Sequence, residues 1–243
     1  MAARQSNPNT ESVDNYLKAI LALGGPEEHR VTSTALSNRL GVAPASVTNM
    51  LQKLASSPTP LVEYQRHRGV RLSVAGKRRA IEVVRHHRLI ETFLYKALDY
   101  PIEEVHEEAE RLEHFISERF EERIAAKLGH PKIDPHGHCI PTLDGKMPKQ
   151  ESLPLTEIRK EGVYSVESIC DDDATLLKSL RTRGIVPGVR IQVRNWNPND
   201  GYGVTIGVSP KVLHLSHDAA DAIRIHPPKL KESERLAIRR FPY

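Results

Sequence analysis

The segment between residues 31 and 72 constrains the fold most strongly. It contains a predicted short helix from Val31 to Leu40, a break at Gly41, and a second helix that begins at Pro44 in PASVTNMLQKLASS. Proline suits the first turn of a helix, and two short helices joined by a glycine-containing turn are typical of a helix-turn-helix. The preceding SVDNYLKAILAL has the apolar spacing of a further helix. The sequence therefore predicts a three-helix module near the N-terminus.

Two alternating segments follow this module. LVEYQRH and GVRLSVAG are predicted to form two strands around a turn at Arg68-Gly69. A hairpin in this position is the wing of a winged helix-turn-helix, and its cationic tip favours binding to DNA phosphates. A three-helix structural module with a basic surface is the alternative.

The predicted DNA-binding surface combines the second helix of the motif with the wing. Small and polar side chains on the exposed helix face can reach base edges or phosphates in the major groove. Cationic side chains on the wing would lie against the phosphates. The predicted DNA-binding residues are Ala45, Ser46, Thr48, Asn49, Gln52, Lys53, Arg66, Arg68 and Arg71.

Composition excludes several classes of protein. With 243 residues, 39% hydrophobic and 27% charged, the chain is expected to be globular rather than disordered. No apolar run approaches the roughly 20 residues that span a bilayer, and MAARQSNPNTES lacks a signal core. Two cysteines, Cys139 and Cys170, are too few for a disulfide framework. We expect a cytoplasmic protein without a membrane partner.

A second motif, VHEEAERLEHFI, lies in a predicted helix from Ile102 to Leu128. Its residues His106, Glu110, Glu113 and His114 recur at helical spacing beside an apolar stripe. Clustered carboxylates at the edge of a buried face repel one another unless a cation joins them. The motif therefore indicates a metal site, although a solvated acidic helix face has the same pattern.

A preceding predicted helix, Ala75 to Leu98, carries His87 and Glu91 four residues apart on one face. Together the two segments offer nitrogen and oxygen donors without thiolate, which suits Mn²⁺ or Fe²⁺ better than a structural zinc site. A zinc-protease HExxH motif is excluded, because Glu110 stands where that motif needs histidine.

Three stretches, APASVTNMLQKL, RHHRLIETFL and VHEEAERLEHFI, resemble the diphtheria-toxin-repressor family of metal-dependent transcriptional repressors, especially its manganese-responsive branch. The resemblance implies two metal sites. It assigns His87, Glu91 and His106 to one, and Glu110, Glu113 and His114 to the other, which controls DNA binding. Glu110 stands where iron-sensing members carry cysteine, which implies Mn²⁺, with Fe²⁺ and other divalent transition metals as alternatives.

Two positions of the first helix depart from the family pattern. Asn15 stands where the family has an aspartate or methionine ligand, and Lys18 replaces a glutamate of some manganese sensors. An asparagine carbonyl can bind a hard cation, though more weakly than a carboxylate, so the resemblance still implies Asn15 as a ligand. The loop DPHGHCIP resembles one that contributes ligands to the His87 site, which implies Asp134 and His136; a plain turn is the alternative.

Beyond a polar linker, short strands in VYSVESI, RIQVRNW, GVTIGV and DAIRI surround a helical DATLLKSLRTRG. They predict a small barrel that resembles the SH3-like domain of longer repressors and ferrous-transport accessory proteins. That resemblance implies a further ligand at Asp172, whereas a helix N-cap cluster is the alternative for this acidic run.

The expected fold is mainly α with a small β domain. It comprises a winged helix-turn-helix (1–75), a helical dimerisation and metal-sensing domain (76–148), a C-terminal SH3-like barrel (149–228) and a tail (229–243). The expected function is a Mn²⁺-activated, homodimeric repressor of metal-uptake genes that binds a double-stranded DNA operator and is not an enzyme. The alternatives are a metal-independent winged-helix DNA-binding protein and a metal-dependent hydrolase.

Overall fold

The computed structural model describes residues 8–25, 28–197, 201–207 and 209–226, with side chains from residue 11 onward. The chain forms two compact units. The first comprises residues 1–97, 107–132 and 140–148, and the second comprises residues 98–106, 133–139 and 149–243. Two predicted segments lie outside the described residues: the tail, 229–243, and the end of one strand at Val208.

The first unit begins with a helix-turn-helix and a hairpin. Its elements are α1 (Pro8–Gly24), α2 (Ser33–Leu40), α3 (Pro44–Ala55), β1 (Val62–Gln65) and β2 (Gly69–Leu72). The Thr32 side chain accepts a hydrogen bond from the Ala35 amide and so caps α2. Gly41 ends α2 in the left-handed region, with φ 63°, which glycine adopts without steric cost. The predicted winged helix-turn-helix is thus confirmed, and its core includes the fully buried Leu17 and Leu36.

The predicted start of α2 at Val31 is wrong. Val31 forms an antiparallel bridge with Val70 in β2, and both of its backbone hydrogen bonds go to that residue, at 2.8 and 2.9 Å. The capping Thr32 then starts the helix at Ser33. Because the backbone groups of Val31 are hydrogen-bonded to the wing, this residue is not part of the helix, which begins only after the Thr32 cap.

Three further helices follow: α4 (Val74–Ala97), α5 (Val105–Leu112) and α6 (Glu118–Lys127). They belong to the first unit, except that the first two residues of α5 are assigned to the second. The predicted single helix from Ile102 to Leu128 is wrong, because a turn separates α5 from α6. Ser117 accepts a hydrogen bond from the Phe120 amide and caps a new helix. The apolar stripe therefore stops, and Leu112 and Phe115 are exposed.

The second unit carries an antiparallel sheet. Its elements are β3 (Leu153–Pro154), β4 (Gly162–Ile169), α7 (Ala174–Thr182), β5 (Arg190–Asn197), β6 (Gly201–Ile206), β7 (Leu213–Leu215), α8 (His217–Asp221) and β8 (Ile223–His226). The strand order is β3-β8-β4-β5-β6-β7. Apolar side chains of the sheet and of α7 form one core, including the fully buried Leu180, Ile191 and Tyr202. The predicted mainly α fold with a small β domain is confirmed, although the short β3, β7 and α8 were not predicted.

None of the helices within the described ranges is long and apolar enough to cross a membrane.

Candidate metal centre and DNA interface

A group of polar side chains from α1, α4, α5 and the turn after α5 meets inside the first unit, and we call it the α1/α5 cluster: Lys18, His87, Glu110, Glu113 and His114. Potential ligand atoms of His87, Glu110 and Glu113 all lie within 4.8 Å of one another. The Glu113 side chain is completely buried, because the turn after α5 directs it inward. A buried carboxylate needs charged or hydrogen-bonding partners, and this cluster supplies them.

His87 lies between two carboxylates. Its Nε2 is 2.9 Å from Oε1 of Glu91, and its Nδ1 is 2.6 Å from Oε2 of Glu113. Burial by itself would lower the pKa of His87, but Glu91 and Glu113 outweigh it and raise the pKa to about 9. The sequence assigned His87 and Glu113 to different metal sites, whereas the structure brings them into direct contact.

Lys18 contributes an ammonium group to the cluster, in addition to the imidazole of His87. Its Nζ donates to Oε1 of Glu110 at 2.6 Å and to both carboxylate oxygens of Glu113, at 2.8 and 3.0 Å. Burial would lower the pKa of Lys18, but the adjacent Glu113 and Glu110 raise it. This ammonium group therefore connects α1, which packs in the helix-turn-helix core, to α5.

His114 is held between the cluster and α1. Its Nε2 is 3.3 Å from Oε1 of Glu113, and its Nδ1 is 3.5 Å from Oδ2 of Asp14. Asp14 is buried and accepts a hydrogen bond from Nε of Arg79 at 2.5 Å. Burial would raise the pKa of Asp14, but His114 and Arg79 outweigh it and lower the pKa. A carboxylate behind one imidazole nitrogen orients the other toward a metal, a role for Asp14 that the sequence did not indicate.

Asn15 has a buried amide oxygen in the first turns of α1. Its Oδ1 accepts no hydrogen bond from any described residue. A buried acceptor of this kind is costly in isolation, and an amide carbonyl suits a hard cation. This is the observation that agrees with a ligand role for Asn15.

The adjacent His86 has a structural environment instead. Its Nε2 is 2.9 Å from Oε2 of the buried Glu121, whose other oxygen accepts a hydrogen bond from Arg85 at 2.5 Å. Arg85 also donates to the Pro141 carbonyl at 2.6 Å. This network fixes α6 and residue 141 against α4, and it distinguishes His86 from its neighbour His87.

A second group lies inside the second unit, and we call it the loop cluster: His106, Asp134, His136, His138 and Asp171. Ligand atoms of Asp134, His136 and His138 lie within 4.8 Å of one another. Oδ2 of Asp171 is 3.4 Å from Nδ1 of His106 and 3.5 Å from Nδ1 of His136. Nδ1 of His138 is 3.5 Å from Oδ2 of Asp134.

Local backbone structure positions these side chains. Oδ1 of Asp134 accepts hydrogen bonds from the amides of His136 and His138, at 2.8 and 2.9 Å, which closes a tight turn. Gly137 has φ 89°, and a β-carbon there would lie 2.1 Å from the Glu167 carbonyl oxygen, so only glycine allows the loop to approach β4 so closely. The turn predicted as an alternative is therefore present, and it carries the predicted donors.

The orientation of His136 is also fixed. Its Nε2 lies 3.1 Å from the Ile102 carbonyl, which can only accept a hydrogen bond. This contact leaves Nδ1, which faces Asp171, as the ring nitrogen that could bind a metal. The residues of both clusters fit a divalent cation, since each offers imidazole nitrogen and carboxylate oxygen in a largely buried setting.

The acidic run before α7 divides its roles differently from the sequence-based expectation. Asp171 faces the histidines, whereas Oδ2 of the exposed Asp172 accepts a hydrogen bond from the Cys170 thiol at 3.3 Å. Burial raises the pKa of Cys170 to about 11, so this group stays a thiol at neutral pH. Asp173 caps α7 through the amides of Thr175 and Leu176, as predicted.

The DNA-facing residues lie on α3 and the wing. Ala45, Ser46, Asn49, Gln52 and Lys53 are exposed, and Thr48 is half-buried. These positions leave Val47, Leu51 and Leu54 for the core.

The wing arginines differ in their environment. Arg66 and Arg68 are exposed at the turn, whereas Arg71 forms an ion pair with Glu63 at 2.7 Å. Arg30, which the sequence did not single out, donates to the carbonyls of Glu63 and Gly69 at 3.0 and 3.2 Å and holds the hairpin together.

Sequence reasoning missed four residues of these sites: Asp14, Lys18 as a contact of the carboxylates, His138 and Asp171. A signal existed for His138, which stands four residues after Asp134 in the same loop. A sequence signal existed also for Asp171, because it is adjacent to the predicted ligand Asp172. For Lys18 the signal was its replacement of a glutamate of some manganese sensors. Asp14 gave none, and the partners of both residues lie about 65 to 100 residues away in the chain.

Family models match three consecutive parts of the chain. Residues 9–70 match the N-terminal DNA-binding domain of iron-dependent repressors, and residues 73–142 match their metal-binding and dimerisation domain. Residues 153–227 match the FeoA domain. The predicted SH3-like nature of the C-terminal part is thereby confirmed.

Individual proteins agree with this match. The iron-dependent repressor IdeR of Mycobacterium tuberculosis is 29% identical over 90% of this chain and 98% of its own length. The diphtheria toxin repressor of Corynebacterium diphtheriae is 26% identical over 88% and 96%, respectively.

Solved structures extend the comparison. A manganese-dependent transcriptional repressor in complex with manganese superposes with a TM-score of 0.81, at 35% identity over 88% of this chain and 98% of that one. The repressor ScaR with bound Zn²⁺ gives a TM-score of 0.75 at 30% identity, with the same coverage. The chain therefore belongs to the diphtheria-toxin-repressor family of iron-dependent repressors, which are metal-dependent, DNA-binding transcriptional regulators and not enzymes.

Proposed function

We propose that this chain is a Mn²⁺-activated repressor of metal-uptake genes that binds its DNA operator as a homodimer. The observation that carries the proposal is the convergence of Glu110, Glu113 and His87 within 4.8 Å at a point that contacts α1. A cation bound there would act on a helix of the DNA-binding module itself. The metal would supply the positive charge that joins the two carboxylates.

The donor set supports Mn²⁺ over a softer metal. The α1/α5 cluster offers carboxylate oxygens and imidazole nitrogens, with the amide oxygen of Asn15 as a further hard donor, and this chemistry suits Mn²⁺ or Fe²⁺. The resemblance to manganese-responsive repressors, in which glutamate stands at the position of Glu110, favours Mn²⁺ between the two. One solved relative, at 35% identity, is a manganese-dependent repressor in complex with manganese. Fe²⁺ is the alternative that the titration below distinguishes.

The path from the metal to DNA runs through α1. Its apolar face, with Val13 and Leu17, lies in the same core as Leu36 of α2 and Leu51 of α3. Its polar face carries Lys18, whose ammonium group contacts Glu110 of α5, and Asn15 lies three residues earlier on the same helix. A metal held by Glu110, Glu113, His114 and Asn15 would fix α1 relative to α5, and with it the orientation of the recognition helix α3.

We propose that the loop cluster is ancillary and binds a second cation through Asp134, His136 and Asp171. The Nδ1 of His136 and the carboxylate of Asp171 face each other at 3.5 Å, which suits a shared cation. His138 adds a further imidazole to this set. Of the residues that the resemblance assigns to this site, His106 lies in the loop cluster. We propose Asp171 in place of Asp172 as the ligand from the acidic run.

On the DNA side, α3 would enter the major groove and the wing would contact phosphates. In a homodimer the two recognition helices would lie about 34 Å apart, one turn of DNA. Exposed apolar side chains support self-association, since large apolar surfaces are costly in water: Leu112, Phe115 and Phe120 are each more than a third exposed.

Base contacts and phosphate contacts have distinguishable effects. We expect Gln52→Ala to change which sequences are preferred, by about 1–3 kcal/mol per contact. Arg68→Ala should weaken binding to every duplex and reduce its salt dependence. Anisotropy titrations against a preferred duplex and a scrambled one measure both effects, and equal losses on the two duplexes for Gln52→Ala would contradict its role in base recognition.

The decisive experiment is a metal titration of DNA binding. The probe is a fluorescent duplex that the protein itself selects from a randomised pool in the presence of Mn²⁺. Metal-free protein is titrated with Mn²⁺, with Fe²⁺ under anaerobic conditions, and with Zn²⁺, with EDTA as the control. Activation by Mn²⁺ at the lowest free concentration is expected. Binding that EDTA leaves unchanged would instead support a metal-independent DNA-binding protein.

A further inference from the structure

The α1/α5 cluster already contains a cation that belongs to the chain. We propose that the Lys18 ammonium group is a built-in competitor of the activating metal, which occupies the Glu110–Glu113 carboxylate pair and links α1 to α5 when metal is absent. The inference rests on the proposed function, because it concerns the regulation of the same site. It predicts a repressor whose metal-free form retains partial DNA binding and whose metal site opens only when Lys18 leaves.

The contacts of Lys18 use the atoms that a metal would need. Its Nζ lies 2.6 Å from Oε1 of Glu110 and 2.8 and 3.0 Å from the two oxygens of Glu113. An ammonium group has three N–H donors, and three carboxylate oxygens surround it. A divalent metal binds such oxygens at roughly 2.0–2.2 Å, so the metal and the ammonium group cannot occupy this position together.

Charge and burial favour a stable ion pair in the metal-free protein. The Glu113 side chain is fully buried and Lys18 is only 17% exposed, so solvent screens their attraction weakly. Two carboxylates without a cation would repel each other at this distance. Lys18 brings one positive charge to the carboxylate pair, whereas a divalent metal would bring two.

The position of Lys18 on α1 gives the pair a regulatory consequence. The residue lies on the same helix as Leu17, which is in the core of the helix-turn-helix. The ion pair therefore makes the same α1-to-α5 connection that a bound metal would make, but with one positive charge instead of two. Replacement of Lys18 by a neutral side chain should break this connection and at the same time free the carboxylates for metal.

The test compares the full-length wild type with Lys18→Met, which keeps a long unbranched side chain and removes its charge. Lys18→Arg keeps a cation on α1, and Lys127→Met removes an exposed lysine from the end of α6 as the matched control. Three quantities are measured on metal-free protein: the Mn²⁺ dissociation constant by calorimetry, the melting temperature in EDTA, and binding to the selected duplex in EDTA. Lys18→Gln serves as a second neutral variant if Lys18→Met does not fold.

We expect Lys18→Met to bind Mn²⁺ roughly ten- to a hundredfold more tightly than wild type. In EDTA it should melt at a lower temperature and lose the residual DNA binding, because Glu113 then lacks its ammonium partner. Lys18→Arg and Lys127→Met should follow the wild type in all three measurements.

Three outcomes decide on this inference and on the proposed function. If Mn²⁺ activates the wild type but Lys18→Met binds Mn²⁺ with unchanged affinity, the competition by Lys18 is refuted and the metal-dependent function stands. If neither protein binds Mn²⁺, the proposed function fails and the inference fails with it. If Lys18→Met binds Mn²⁺ and the wild type does not, the competition by Lys18 is supported, and the proposed activation of the wild type by Mn²⁺ fails.

Discussion

In the α1/α5 cluster a lysine from α1 lies against two glutamates, whereas in the loop cluster the carboxylates of Asp134 and Asp171 face histidine rings. A lysine side chain is a permanent cation that a metal must displace. A histidine ring is itself a metal ligand, so a metal can enter between it and a carboxylate without removing either side chain. The two clusters therefore offer similar donors but different obstacles to metal binding.

From this difference we infer different roles for the two clusters. The loop cluster is held by backbone contacts, such as the turn at Asp134 and the close approach of Gly137 to β4, and it is organised before metal arrives. The α1/α5 cluster has two arrangements available, one with Lys18 and one with metal. A regulatory site needs such a pair of states, because a ligand shifts an equilibrium only when it prefers one state over another.

The largest effect is expected at Glu113, which contacts Lys18, His87 and His114. Glu113→Gln keeps the shape but removes the charge, and we expect it to abolish Mn²⁺-activated DNA binding, with a loss of about a hundredfold or more. Circular dichroism of the variant shows whether the fold is intact, and the anisotropy titration measures activation. Glu107→Gln, at an exposed position of α5, is the matched control. Full activation of Glu113→Gln would show that this carboxylate is not a ligand of the controlling site.

The next effect distinguishes Asp171 of the loop cluster from the adjacent Asp172. Asp171→Asn should remove one bound Mn²⁺ per chain, or weaken it by about tenfold to a hundredfold, because the carboxylate faces His106 and His136. Asp172→Asn should leave the stoichiometry unchanged, since this side chain is exposed and accepts its bond from Cys170. Calorimetry with Mn²⁺ counts the ions. A lost ion in the Asp172 variant and not in the Asp171 variant would reverse our assignment.

The sequence predicted the elements that depend on local patterns. The helix-turn-helix, the wing and the long α4 follow from apolar spacing, Gly41 and Pro44, and the structure contains all three. The break between α5 and α6 escaped prediction, because Glu113 and Ile116 continue a helical pattern. The capping hydrogen bond that the Phe120 amide donates to Ser117, together with the burial of Glu113 against Lys18, outweighs that local preference.

For the sites, the sequence supplied donor types but not their partners. His87 was assigned apart from Glu113, yet its Nδ1 is 2.6 Å from that carboxylate. Spacing along one helix limits which residues share a face; it carries no information on which residue of another helix lies opposite. Contacts such as Asp14 to His114 depend on the packing of α1 against α4 and α5, which only the folded chain determines.

A smaller effect is expected at Asp14, which is a positioning residue. Asp14→Asn removes the charge behind Nδ1 of His114 and leaves Arg79 without its carboxylate partner. We expect the Mn²⁺ affinity of the α1/α5 cluster to fall about tenfold, at the lower end of the range for such supporting carboxylates, while the loop cluster keeps its ion. Calorimetry resolves the two sites if their affinities differ, and the Asp171→Asn background isolates the first. Unchanged affinity would mean that Asp14 only anchors Arg79.

The smallest effect tests the weakest donor of the controlling site. Asn15→Asp replaces an amide oxygen, buried and without a hydrogen-bond donor among the described residues, by a carboxylate that binds a hard cation more strongly. We expect Mn²⁺ to bind several-fold more tightly, with the gain reduced because the new charge also attracts the Lys18 ammonium group. In a Lys18→Met background that competition is absent, so the same substitution should gain more. Equal gains in both backgrounds would show that Asn15 and Lys18 act independently, and no gain in either would exclude Asn15 as a ligand.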